Sequence, residues 1–198
     1  MILVAATGNA GKLSELRALL AGLDLDLRSL ADLAGAPAVE ESGDSFLSNA
    51  RLKAHAIAAH AGLPALADDS GLEVDALGGA PGVRSARFAR DAGAGDAANV
   101  ATLLARLRTV PPAQRAARFR CVVVVARPDG AELVADGACA GLIAAAPRGT
   151  AGFGYDPVFL YPPLGRTFAE LARAEKDRVS HRAAAIAALR PQLVEFLR

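Results

Sequence analysis

The chain has 198 residues, 53% of them apolar and 22% charged, with 22 Lys and Arg against 21 Asp and Glu for a net charge of +1. That is enough apolar material for one domain with a real core, and it excludes a disordered chain. The balanced, interleaved charge argues against a broad nucleic-acid or anionic-membrane surface, so neither partner is expected.

Met1 runs straight into ILVAA with no basic region before it, and no apolar stretch approaches ~18–20 residues. Neither a signal peptide nor a membrane span is expected, and the protein is placed in the cytoplasm. ILVAA itself, residues 2–6, has the continuous apolar character of a strand buried on both faces. Asn9 can cap a helix over about 10–21, with Leu13, Leu16, Leu19 and Leu20 on one face. LDLDLRSL, 23–30, alternates as a second strand. Helical spacing of Phe46, Leu47, Ala50, Ala54 and Ile57 predicts a helix over about 44–61, stopped by Gly62.

PALADDSG, 64–71, reads as a short strand ending in two acids, followed by an alternating LEVDAL and a GGAPG turn. Residues 96–108 read as helix. FRCVVVVAR, PDG and AELVADGACAGLIAAA form a long hairpin over 119–146, with Cys121 and Cys139 as buried small apolar groups in a reducing compartment. The glycine-rich GTAGFGYDP leads to a strand at 158–161. A last helix starts near 176, and Pro191 is expected to bend or break it. The three His, at 55, 60 and 181, are too scattered to suggest a zinc set. No linker or repeat divides the chain, which reads as a single α/β unit, 1–198, with a mixed sheet.

Four motifs carry chemistry. TGNAGK follows the first strand and opens the first helix, where free N–H groups, the helix dipole and Lys12 can hold anionic oxygens. It is not a P-loop: Ala6 stands at the first glycine position and Leu13 replaces the magnesium-binding hydroxyl. The plain alternative is a glycine turn with an exposed lysine. EESG at 40–43 and ADDSG at 67–71 each set acids side by side. Their mutual repulsion is relieved by a divalent cation, and all-oxygen ligands suit Mg²⁺; the plain alternative is an Asp/Ser turn.

In FGYDP, 153–157, Phe153 or Tyr155 offers a flat face to a base and Asp156 an acceptor, unless the aromatics simply plug the core. In EKDRVSHR, 175–182, Arg178 and Arg182 fall four apart on one helix face, and Lys176, His181 and Arg182 supply donors; otherwise this is a solvated helix start.

Taken in this order from Thr7 to Arg182, the four motifs resemble the Ham1-like family of inosine/xanthosine triphosphate pyrophosphatases. The resemblance implies an elongated α/β fold: a long mixed central β-sheet flanked by helices, in two lobes with a nucleotide cleft between them. It implies a Mg²⁺-dependent homodimer that hydrolyses purine nucleoside triphosphates carrying a deaminated base (ITP, dITP, XTP) to the monophosphate and pyrophosphate. Thr7, Gly8, Asn9, Ala10, Gly11 and Lys12 would line the triphosphate, with Lys53 reaching it. Asp69 would activate water and sit at the metal with Glu40, while Glu41 and Asp68 support them. Ser70 would touch substrate. Phe153, Gly154, Tyr155 and Asp156 would cradle the nucleoside, and Lys176, His181 and Arg182 would read the base.

The chain departs from the family pattern at three places: Ala151 for a first glycine before Gly152, Ser48 for an acid before Asn49, and Arg84 for an aromatic after PGV. A Maf-like pyrophosphatase acting on modified pyrimidine nucleotides would lack SHR and FGYDP. A non-catalytic nucleotide sensor would have no use for the acids.

Overall fold

The computed structural model describes residues 1–89 and 95–198. Seven strands hydrogen-bond in the order β2-β1-β3-β4-β5-β6-β7: β1 (Ile2–Ala5), β2 (Asp26–Ser29), β3 (Ala65–Val74), β4 (Ala116–Ala126), β5 (Glu132–Ile143), β6 (Phe159–Tyr161) and β7 (Arg166–Thr167). β1 runs parallel to β2 and β3, whereas β6 is antiparallel to β5 and β7, so the sheet is mixed. The helices are α1 (Ala10–Leu19), α2 (Phe46–Ala61), α3 (Asp96–Arg106), α4 (Arg173–Val179) and α5 (His181–Phe196). No helix among the described residues is long and apolar enough to cross a membrane.

The chain divides into two compact units that interleave in sequence: Met1–Asp69, Cys121–Gly137 and His181–Arg198 form unit 1, and Ser70–Arg120 with Ala138–Ser180 form unit 2. β3, β4 and β5 are each divided between them, which is why no linker is visible in the sequence.

In unit 1, Leu3, Ala5, Leu66, Cys121, Val123 and Val125 pack with Leu16 and Leu20 of α1 and with Ala185, Ile186, Leu189 and Leu193 of α5. Each fully buried leucine or isoleucine contributes about 1.5–3 kcal/mol relative to exposure. Leu193 lies beyond Pro191 and is wholly buried. The proline withdraws one donor from the helix, but the docked last turn outweighs that cost, and α5 runs on unbroken against expectation. In unit 2, Phe119, Phe159 and Phe168 form a tight aromatic cluster, with the Phe119 and Phe159 centroids 4.5 Å apart, over Leu72, Val74, Leu103 and Leu107.

Asn9 caps α1 by accepting from the Lys12 amide at 3.0 Å, as its position predicts. Gly62 ends α2, also as predicted. Two expectations need correction. ADDSG is neither a strand end nor a turn, because β3 continues through it to Val74. EKDRVSHR is two helices rather than one: Ser180, extended at ψ 156°, separates α4 from α5, so Arg178 and Arg182 do not share a helix face.

Candidate active site

Placing two acids inside β3 sends them to opposite faces of the strand, because side chains alternate there. Asp68 shares the face of Leu66, toward α1 and α5. Its Oδ2 accepts from Arg182 Nη2 at 2.7 Å and Nε at 3.2 Å, and lies 3.1 Å from Lys12 Nζ. The Cys121 thiol on β4 is a weak further donor at 3.9 Å. Arg182 Nη1 also donates to Glu15 of α1. Burial works against ionisation of Asp68, but Arg182 and then Lys12 outweigh it and hold the carboxyl well below the usual range. Asp68 is therefore a fixed anion that restrains Lys12 beside the 7–12 turn.

The first turn of α5 is brought to this spot by close approach to β5. A Cβ on Gly137 would lie 2.3 Å from the Ala185 nitrogen and 2.4 Å from the His181 oxygen. The glycine lets helix backbone rest on strand backbone, and His181 and Arg182 are both buried there.

Asp69 faces the other way, toward α2. Its Oδ2 accepts from Asn49 Nδ2 at 3.1 Å, and its Oδ1 lies 3.5 Å from Lys53 Nζ. The same ammonium donates to Glu41 Oε1 at 2.7 Å and to the Asp68 carbonyl at 2.9 Å. Burial raises the Asp69 carboxyl; Lys53 and Lys12 pull it back, Glu41 adds to the rise, and Asn49 opposes it. For Lys53, burial opposes the charge but Asp69 and Glu41 outweigh it, so its ammonium is held more firmly than usual.

A cation standing between two carboxylates is the arrangement a divalent ion would also satisfy. An all-oxygen set of few carboxylates suits Mg²⁺, which takes few protein ligands and fills the rest of its shell with water and phosphate oxygens. Lys53 brings Glu41 beside Asp69, whereas Glu40, the acid expected at the metal, is exposed one residue earlier on the same segment.

The 7–12 turn is built as the sequence predicts. Thr7 Oγ1 accepts from the Asn9 amide at 3.2 Å, and Gly8, Asn9 and Ala10 are exposed at the start of α1. Asn9 spends its side-chain oxygen on the cap, so its amide nitrogen remains the part that suits an anion. Ser70 follows Asp69 on β3, half-buried.

Unit 2 carries the remaining predicted residues. Asp156 is buried and accepts from the Phe153 amide at 3.0 Å and from Lys176 Nζ at 2.5 Å. The Lys176 ammonium also lies 4.8 Å from the centroid of the half-buried Phe153 ring. The Gly154 amide donates to Asp96, the first residue of α3, at 2.6 Å. Loop 153–156 is thus tied to two carboxylates, Asp156 and Asp96, and Phe153 stays half-buried beside Lys176.

The Tyr155 ring joins the unit 2 core and its hydroxyl donates to the Ser85 carbonyl at 2.9 Å, so of the two aromatics it is Phe153 that keeps an accessible face. The Arg182 guanidinium, 1% exposed, is turned to Asp68 and Glu15. Sequence reasoning missed Glu15 and Asn49. Glu15 falls three residues after Lys12 on α1, and helical period alone could have flagged it as sharing the lysine's side of the helix. Asn49, an uncharged polar residue at a core position of α2, was the stronger signal.

A family model described as the Ham1 family matches residues 3–192. A protein named dITP/XTP pyrophosphatase from Geobacillus kaustophilus is 50% identical over 195 residues, 98% of this chain and 95% of that one. A Xanthomonas campestris protein of the same name is 52% identical over 193 residues, 96% of each chain. The solved structure of a HAM1 protein from Coxiella burnetii superposes with a TM-score of 0.88 at 41% identity, covering 98% of this chain and 99% of its own.

Proposed function

The chain belongs to the Ham1 family, and on that premise we propose that it is a hydrolase that cleaves deaminated purine nucleoside triphosphates (ITP, dITP, XTP) to the monophosphate and pyrophosphate. The observation that carries this reading is the Asp69 carboxylate, raised by burial, fixed by Asn49, and set beside Lys53 and Glu41. A carboxyl raised in this way is the stronger base, suited to taking a proton from the water that attacks the α-phosphorus.

Charge grows on the departing pyrophosphate as that bond breaks, and positioned donors stabilise it. Lys12 and the amides of the exposed Gly8 and Ala10 are such donors, and Asp68 restrains the lysine. Lys53, held between Asp69 and Glu41, would be free to turn to phosphate oxygens if a bound cation neutralised those acids. Mg²⁺, held by Asp69 and an acid of the 40–41 pair, would acidify the attacking water and offset phosphate charge.

In unit 2, Phe153 offers a stacking face, and the buried Lys176 offers a positive donor suited to a base carbonyl. Hypoxanthine and xanthine present an acceptor at position 6, where adenine presents a donor. Each donor left facing another costs about 1–3 kcal/mol, which favours the deaminated bases. The reading carries with it a cytoplasmic homodimer; sedimentation of the purified chain tests the dimer, and a monomer at micromolar concentration would remove it.

The deciding experiment is pyrophosphate release from ITP, dITP, XTP, ATP, GTP and dTTP, with and without Mg²⁺. Preference for the first three, and loss of turnover on chelation, is the expected result. Preference for ATP or dTTP would overturn the substrate assignment. Tight ITP binding without turnover would make the chain a nucleotide sensor.

A further inference from the structure

One uncharged side chain touches both halves of the carboxylate site. Asn49 is wholly buried on α2. Its Oδ1 accepts from the Gly43 amide at 2.8 Å, and its Nδ2 donates to Asp69 Oδ2 at 3.1 Å. The amide orientation follows from chemistry: a backbone N–H needs an acceptor, so the oxygen faces Gly43 and the nitrogen must face Asp69. Gly43 lies two residues after Glu41, in the segment that leads to α2.

A side chain at residue 43 would collide with this arrangement, since a Cβ there would lie 2.2 Å from Ser48 Oγ and 2.7 Å from Asn49 Oδ1. The loop carrying Glu41 is therefore seated directly on the residue that orients Asp69. With Oδ2 held by Asn49, it is Oδ1 of Asp69 that turns toward Lys53 and Glu41.

We propose that Asn49 is a positioning residue that sets the spacing of the two metal-side carboxylates, seating the Glu41 loop through Gly43 and orienting the Asp69 carboxylate. The inference rests on reading Asp69 and an acid of the 40–41 pair as the Mg²⁺ ligands. Groups that orient metal ligands typically carry about 10–100-fold in metal affinity or activity. Asn49 does this for two ligands on separate segments, so its loss misplaces both.

The test is to titrate Mn²⁺ alone, as a spectroscopic surrogate for Mg²⁺, into the full chain by calorimetry and paramagnetic resonance. kcat and KM for ITP are measured in parallel on the wild type, Asn49→Leu, Asn49→Ser and Gly43→Ala. Both Asn49 variants are expected to bind Mn²⁺ about 10–100-fold more weakly and to lose a similar factor in kcat, with KM at saturating metal moved less than about threefold. Gly43→Ala, which displaces the loop but spares the bond to Asp69, is expected to weaken Mn²⁺ binding by a smaller factor. Should Asn49→Leu fail to fold, Asn49→Ser and Gly43→Ala decide the question.

Metal affinity and kcat within twofold of wild type, even with lowered stability, would reduce Asn49 to a core residue and overturn the inference. A wild-type protein that binds no Mn²⁺ and turns over without metal would instead bring down the metal reading, a failure visible without any variant.

Discussion

Lys176 Nζ donates to Asp156 Oδ2 at 2.5 Å, with both side chains almost wholly buried in unit 2. A buried pair of this kind contributes little net stability against an apolar replacement, but removing one partner alone strands the other charge. Lys176→Met is expected to cost about 3–5 kcal/mol in urea unfolding, and the double variant Lys176→Met/Asp156→Leu to recover part of it. A double variant no more stable than the single one would show that Asp156 matters through the Phe153 amide instead.

Adjacent Glu40 and Glu41 should behave as opposites. Glu41→Gln removes a carboxylate that Lys53 holds beside Asp69, and should weaken Mg²⁺ binding at least about tenfold and slow ITP turnover. Glu40→Gln alters an exposed residue and should leave both within twofold. Calorimetry and pyrophosphate release on the two variants check this. The reverse pattern would restore Glu40 as ligand.

Arg182→Ala leaves Asp68 and Glu15 buried without their shared cation. The expected loss is about 3–5 kcal/mol of stability in chemical unfolding, while the fraction that remains folded keeps its preference for ITP over ATP within about twofold. A variant of normal stability with eroded base discrimination would return Arg182 to the base.

The two cysteines give a pH signature. Burial pushes Cys121 up to about 12, helped by Asp68 beside it, and Cys139 up to about 11. An unfolded thiol titrates near 8.5, so above that pH the unfolded chain releases protons that the folded one retains. Stability should therefore fall as pH rises from about 8.5 toward 11, most visibly against a Cys121→Ala/Cys139→Ala control. Native alkylation at pH 8 should be slow, and fast in urea. Rapid native labelling of Cys121 would contradict its burial.

The local parts of this fold were legible because they depend on neighbours in sequence. The Leu spacing of α1, the Asn9 cap, the Gly62 stop and the β4–β5 hairpin are of that kind. What was not legible depends on residues far apart in sequence. ADDSG reads as a turn because two adjacent acids look too costly inside a strand. The offsetting charges come from Lys12, Lys53 and Arg182, the last 114 residues away from Asp68.

The break at Ser180 and the unbroken run through Pro191 likewise follow from what packs against α4 and α5 rather than from local preference. That Glu41 rather than Glu40 pairs with Lys53 could not be told from two identical neighbours, since it depends on how the segment before Gly43 is seated on Asn49.

The pleat of β3 has one last consequence. It acts as a sorter, handing one aspartate to Arg182 and Lys12 and the next to Asn49 and Lys53, on parity alone. A single-residue insertion upstream in that strand would exchange their duties while leaving the letters ADDSG untouched. A text search would still find the motif in such a chain, with its two carboxylates exchanged between the α1 side and the α2 side of the sheet.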